Sequence, residues 1–268
     1  MMHSEKHLPL AEILSILRVP HQGILYVQSS INWLQKIGLE LSEVLNTLQD
    51  WVKPAGTLVM PSYPYRGTHL DYLRKKPIFD VRHTPVKIGL IPEIFRRLPN
   101  VQRSLDPDHP ITAQGEEATK VLGQNPQGED SFGTNSTYRR ILDMGATFIG
   151  LGVSLNTNSF IHVIDSQLQH QYAFPVYHKE TFEVKVKDYN ARTLTVRRKS
   201  LRPELQTKIE PSAIAKEIGD QTDMFSSLQI SGVQFFRWNL KKWERFCFEH
   251  AKKRLEHGEN PCWLRRIN

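Results

Sequence analysis

The amino-acid sequence predicts a single α/β domain, and three observations carry that expectation. The chain has 268 residues, enough to bury one large core. Short apolar runs bounded by Gly and Pro alternate with amphipathic stretches, in the strand, helix, strand order of a parallel βαβ unit. No repeat, low-complexity tract or linker-like shift of composition divides it, so one domain is expected over residues 1–268.

The elements follow in order. Residues 10–19 carry apolar side chains at helical spacing, and Pro20 ends the pattern. Gly23-Ile24-Leu25-Tyr26-Val27 reads as a buried strand, with Gln28-Ser29-Ser30 at its carboxyl end. Residues 41–52 form an amphipathic helix, Pro54-Ala55-Gly56 a turn, and residues 57–60 a second buried strand stopped by Pro61. Residues 63–87 are polar and aromatic with several prolines and read as an irregular loop; long loops inside compact domains usually carry function. Short helices are expected over 91–98, with Pro92 tolerated in the first turn, and over 115–122 and 137–144. Residues 146–151 read as another strand and 158–170 as the helix after it. Residues 181–187 and 193–197 alternate apolar with polar about Asp188-Tyr189-Asn190-Ala191, the pattern of a hairpin with one wet face. Residues 211–218 form a helix that Gly219 ends, and 238–255 a terminal helix with Trp238, Leu240, Trp243, Phe246, Cys247 and Ala251 on its core side.

Composition excludes little. Hydrophobic residues make up 39% and charged residues 24%, as in ordinary globular domains. The net charge of +7 invites nucleic-acid, membrane-surface or polyanion hypotheses. The cations lie in short clusters, such as Arg74-Lys75-Lys76, Arg96-Arg97 and Arg197-Arg198-Lys199, and read as solvated surface. No helix-turn-helix, zinc or RNP pattern is present, so nucleic acid is not an expected partner. Cys247 and Cys262 form no CxxC pair, no metal is expected, and Cys247 reads as a core thiol. Residues 1–10 carry charge before any apolar run, which is unlike a signal peptide, and no stretch reaches the ~18 apolar residues of a membrane span; a cytoplasmic protein is the expectation.

The most informative segment is Asn158-Ser159-Phe160-Ile161-His162-Val163-Ile164-Asp165, which follows a buried strand through a Gly/Ser/Asn turn. In a helix, His162 and Asp165 share a face, with Ser159 the same distance on the other side of His162. A carboxylate beside an imidazole fixes its tautomer and makes a competent general base. By spacing alone, such a pair is more often a surface ion pair.

Five stretches in order give this segment a context: Tyr26 to Ile31, Gly56 to Tyr63, Gly89 to Arg97, Arg103 to Pro110, and Asn158 to Asp165. Together with the turn Phe132-Gly133-Thr134-Asn135-Ser136, they resemble the aminoglycoside 3-N-acetyltransferase family over residues 20–170. The resemblance implies a three-layer α/β/α fold with a mixed, largely parallel central sheet. It implies an acetyl-CoA-dependent N-acetyltransferase acting directly on a primary amine of an amino sugar or aminoglycoside-like acceptor. It implies His162 as base, Asp165 orienting it, and Ser159 holding the thioester or its oxyanion. Coenzyme A contacts are implied at Ser29, Ser30, Ile31, Tyr63, Arg103 and Ser104. This sequence departs from the family pattern at Gln28 (His in the family), Asp106 (His or Asn), Asp165 (Glu) and Thr137 (Pro). Asp106 adds a negative charge near the expected phosphates, and His109 is either a second site residue or a satisfied loop imidazole.

The basic balance favours a neutral or anionic acceptor, although Asp71, Asp80 and Asp165 offer a local acidic patch. An acetyltransferase of polysaccharide or natural-product biosynthesis, and a non-catalytic basic binding protein on the same fold, are the alternatives. The expected partner is a small-molecule amine; no membrane partner is expected, and homo-oligomerisation stays open.

Overall fold

A computed structural model describes residues 8–123, 128–219 and 223–265; residues 1–7, part of the segment read as unlike a signal peptide, lie outside them. Ten strands occur in chain order: β1 (Ile24–Ser29), β2 (Thr57–Pro61), β3 (Ile78–Asp80), β4 (Gln102–Arg103), β5 (Ile111–Gly115), β6 (Thr147–Leu151), β7 (Tyr177–Lys187), β8 (Thr193–Leu201), β9 (Phe225–Ile230) and β10 (Val233–Asn239). Seven form a central sheet in the order β4-β5-β2-β1-β6-β10-β9, and β3-β7-β8 form a smaller one. β2, β1 and β6 are mutually parallel, while the pairs on either flank are antiparallel. The sheet is mixed, as expected, but not largely parallel: its parallel part is confined to the three central strands, and the four outer pairs are antiparallel.

Those three strands read as apolar runs because both of their faces are covered, as parallel strands require. Every residue of β2 and of β6 is buried. Side chains alternate across the sheet. Tyr26 and Phe148 join one core layer with Tyr138, Phe160, Ile161 and Trp243, under the helices Thr137–Asp143, Ile161–Gln167 and Leu240–Glu256. Leu25, Val27, Ile149 and Leu151 join the other layer with Ile13, Val44 and Leu48, under the helices Leu10–Ile16 and Leu41–Val52. Helix, sheet and helix make three layers, and each large apolar side chain so buried contributes roughly 1.5–3 kcal/mol. Gly150 is required here: a Cβ on it would lie 2.1 Å from the Phe236 ring, which crosses the sheet at that point.

Several expectations are corrected. The loop over 63–87 contains the helix His69–Arg74 and strand β3. The helix expected over 115–122 starts only at Ala118, and Gly115 ends strand β5. Trp238 lies in β10, and the terminal helix starts after Asn239, whose side chain accepts a hydrogen bond from the Lys242 N–H at 3.2 Å. Cys247 is buried in the core, as expected. No helix among the described residues is long and apolar enough to cross a membrane.

Candidate active site

The parallel strands deliver β1, β2 and β6 to one edge of the sheet, where ligands of open α/β sheets bind. After β6 the chain makes a short turn and enters the helix Ile161–Gln167. This helix is shorter than the expected 158–170, because Asn158 Oδ1 accepts from the Phe160 N–H at 3.0 Å and holds the preceding segment as a turn. His162 sits in the first turn of the helix and Asp165 one turn later. His162 Nδ1 lies 3.3 Å from Asp165 Oδ2, and the two side chains are 13% and 1% exposed.

Asp165 is held from behind. Its Oδ1 accepts from Tyr172 Oη at 2.7 Å and from Trp263 Nε1 at 3.3 Å. A carboxylate that takes two donors on one oxygen is an acceptor on the other, so the imidazole donates from Nδ1 and keeps its lone pair on Nε2. Among the described residues Nε2 has no protein partner, and His162 lines a cavity. An imidazole held in this way can accept a proton at Nε2.

A second feature reaches the same place through the same core layer. Gln28 Nε2 donates to Tyr26 Oη at 3.3 Å, Tyr26 Oη pairs with Tyr138 Oη at 3.3 Å, Tyr138 Oη pairs with Tyr63 Oη, and Tyr63 Oη donates to Ser159 Oγ at 3.2 Å. An amide nitrogen can only donate, so the chain runs one way, from Gln28 through three phenols to Ser159. Burial pushes the Tyr63 phenol up to about 12, and burial pushes Tyr26 and Tyr138 well above their ordinary value, so all three keep their protons at neutral pH. Ser159, already an acceptor, is left with its own O–H to donate.

Two cavities meet here. A narrow one of about 200 Å³ is lined mainly by apolar groups of Val27, Pro61, Ile88, Pro92 and Val153, with Gln28 and Ser29 at its polar end. A wider chamber of about 570 Å³ is lined by Tyr65, Arg66, His109, Phe132, Asn158 and His162, among others. Tyr63, Ile88, Thr157 and Ser159 line both, and so form the wall where the two compartments join.

The residues singled out in the sequence divide accordingly. His162, Ser159, Tyr63 and Ser29 line the cavities, and Asp165 supports His162 from below. Ser30 and Ile31 do not line either one. The Ser30 N–H bonds the Leu151 carbonyl at 3.0 Å, and Ile31 packs in the core. Arg103 and Ser104 do not line these two cavities either. Arg103 is 4% exposed, donates from Nε to Ser62 Oγ at 3.0 Å and from Nη1 to the Thr84 carbonyl at 2.6 Å, and covers the Phe79 ring. Its Nη2 donates to the Ser62 carbonyl, so every guanidinium nitrogen is engaged by the protein. Burial also lowers its pKa to about 9. Ser104 Oγ accepts from the Ile111 N–H at 3.0 Å. Through these bonds both residues brace the loop beside β2, and Arg103 lines a separate cavity of about 410 Å³ with Tyr189 and Arg192.

Asp106, expected as a bare negative charge, is neutralised by Arg198 of β8, the residue read as part of a solvated cluster. Arg198 is fully buried, with Nη2 2.9 Å from Asp106 Oδ2 and Nε 2.7 Å from Asp108 Oδ1. Asp108 Oδ2 also lies 2.7 Å from His69 Nε2. His69, Asp108 and His109 bring ligand-type atoms within 4.8 Å of one another, but the guanidinium already supplies the cation of that cluster. His109 pairs through Nε2 with Tyr65 Oη at 2.9 Å and through Nδ1 with Ser131 Oγ at 3.1 Å, which makes it the satisfied imidazole of the two readings. Tyr138, Tyr172, Trp263 and Arg198 carried no functional signal in the sequence, because their partners lie on distant segments.

An oriented imidazole lining a chamber that adjoins a second cavity, at the strand ends of an α/β/α domain, is an arrangement able to take up a proton. The chain belongs to the aminoglycoside 3-N-acetyltransferase family, whose model matches residues 26–228. It is similar to the SPbeta prophage-derived aminoglycoside N(3')-acetyltransferase-like protein YokD of Bacillus subtilis (strain 168), at 27% identity over 159 residues covering 53% of this chain and 57% of that protein. It is likewise similar to aminoglycoside N(3)-acetyltransferase IV of Salmonella sp, at 28% identity over 155 residues covering 57% of this chain and 56% of that protein. The matched region spans little over half the length of these curated relatives. Among solved structures, the aminoglycoside acetyltransferase AAC(3)-IVa apoenzyme superposes with a TM-score of 0.72 at 18% identity, over 94% of this chain and 93% of that one. The AAC-IIIb binary complex with CoASH gives 0.71 at 16% identity, over 91% and 95%. These likenesses establish the shared fold.

Proposed function

We propose that the chain transfers the acetyl group of acetyl-CoA to a primary amine of an amino sugar or aminoglycoside-like acceptor, with His162 as the general base. The observation that carries this reading is the free Nε2 of His162, facing the chamber while Asp165 holds Nδ1. Family membership and the coenzyme complex of AAC-IIIb support the choice of acyl donor.

The narrow cavity suits the pantetheine arm. Its walls are apolar, and Gln28 Oε1 is a buried acceptor without a protein partner, as an arm carrying amide N–H groups would need. The thioester then lies at the shared wall beside Ser159, and the amine enters from the wider chamber. The amine nitrogen attacks the thioester carbonyl carbon while His162 Nε2 removes its proton. Asp165 stabilises the resulting imidazolium. Ser159, its Oγ occupied by Tyr63 as donor, gives its proton to a hydrogen bond with the carbonyl oxygen as negative charge develops there. Breaking the C–S bond releases the thiolate, which takes the proton from His162; amide and free coenzyme A leave. Nothing in this scheme needs an acyl-enzyme.

The test is calorimetric titration with acetyl-CoA followed by thiol release on adding glucosamine. Saturable, stoichiometric binding with amine-dependent thiol release is the expected result. An absence of both heat and thermal stabilisation at millimolar acetyl-CoA would overturn the reading.

A further inference from the structure

We propose that the acceptor amine carries an anionic group, a phosphate or a carboxylate, which Arg66 holds at the rim of the wider chamber. The inference rests on the acetyl-transfer reading above and narrows its substrate class.

The argument is one of charge. Among the described residues lining the chamber there is no aspartate or glutamate, and Arg66 is the one permanent charge. Arg66 is exposed, donates from Nε to the Lys87 carbonyl at 2.6 Å, and pairs with no carboxylate among the described residues. An exposed guanidinium whose terminal nitrogens have no carboxylate partner among the described residues is a ready fork for a phosphate or carboxylate. Asn158 adds a neutral donor in the same wall: its Oδ1 is used by Phe160, while its Nδ2 has no protein partner.

The nearby acids are committed elsewhere. Asp165 lies beneath His162 and accepts from Tyr172 and Trp263. Asp106 and Asp108 face Arg198. Asp80 pairs with Lys187 at 3.4 Å and with His83 at 3.1 Å. Asp71 accepts from Thr68 Oγ1 at 2.6 Å and does not line the chamber. Burial lowers the pKa of His109, so its imidazole is neutral at pH 7 and adds no second positive charge. A polycation placed here meets Arg66 and no counter-charge, which selects against it; an amine bearing an anion meets an unpaired cation.

The experiment compares kcat/KM for D-glucosamine, D-glucosamine 6-phosphate, D-glucosaminuronic acid and sisomicin, in the natural chain and in Arg66→Gln. At least one anionic amine is expected to exceed glucosamine by about tenfold or more, the worth of a charged hydrogen-bonded pair, and Arg66→Gln should bring that ratio close to unity. The better of the two anions tells phosphate from carboxylate. Sisomicin as the best acceptor, or a ratio unchanged in Arg66→Gln, would overturn the inference and leave acetyl transfer standing. Binding of acetyl-CoA without acetylation of any of the four amines would instead bring down the transfer reading, and the inference with it.

Discussion

Asp165 and Asp108 are both fully buried and both meet a histidine, yet their surroundings differ in one respect. Asp165 holds a single imidazole, His162, whose other nitrogen opens onto the chamber. Asp108 is enclosed by His69 and Arg198, with His109 3.6 Å away, and all three of those side chains are 4% exposed or less. Burial alone pushes the Asp108 carboxyl up, but Arg198, His109 and His69 together hold it well below its usual range. His162 turns its remaining nitrogen toward a cavity, whereas the nitrogen of His69 left without a partner, Nδ1, is buried. A histidine–carboxylate pair therefore announces chemistry only when one nitrogen is left over and faces a space that a ligand can enter.

Three substitutions or conditions sharpen that contrast. The largest effect is expected from His162→Ala, which should reduce kcat by roughly 10²–10⁴ while leaving acetyl-CoA affinity and the unfolding midpoint unchanged. A variant that kept near-full turnover would remove His162 from the mechanism. The reverse pattern is expected at the closed cluster. Arg198→Met leaves Asp106 and Asp108 buried side by side without a cation, and should cost about 3–5 kcal/mol in urea unfolding. A loss below ~1 kcal/mol would mean that water already neutralises those carboxylates.

The smallest effect is a pH dependence of stability. Burial lowers the pKa of His69 and of His109, so the unfolded chain takes up protons near its ordinary value of about 6.5 before the folded chain does. Their contribution is present at pH 7 and lost as pH falls through that value. His250, also lowered by burial, acts in the same direction. Asp106 opposes them: burial pushes its carboxyl up to about 6 despite Arg198, so the folded chain gains stability from its protonation below that pH. The imidazoles outnumber it, and the unfolding midpoint should decline between pH 7.5 and 5.5, less steeply in His109→Gln. A flat profile would show that water reaches the closed cluster.

The central sheet was legible because β1, β2 and β6 are covered on both faces and so appear as uninterrupted apolar runs. β5 was not, since Ile111-Thr112-Ala113-Gln114-Gly115 is short, polar at alternate positions, and leads straight into helix-forming residues. β10 merged with the terminal helix because Phe235, Phe236 and Trp238 suit either element, and only the capping side chain of Asn239 marks the change. In the site, His162, Asp165 and Ser159 were readable together because one short segment carries them all. The tyrosine chain joins residues as far apart as Tyr26 and Tyr138, and Arg198 stands 92 positions from Asp106. Local pattern holds no record of such pairings. It reads Arg198 as one more surface cation, where packing has made it an internal brace.

The pin between Arg198 and the two aspartates also bears on how the chain can be divided. The three-stranded sheet looks like an appendage to the larger one, the sort of unit that shortening or recombining a protein would remove first. Deleting residues 177–201 would strip Asp106 and Asp108 of their counter-ion and leave like charges facing each other beneath the chamber floor. The small sheet is therefore inseparable from the large one in any viable shortened or chimeric chain, unless both carboxylates are replaced in the same step.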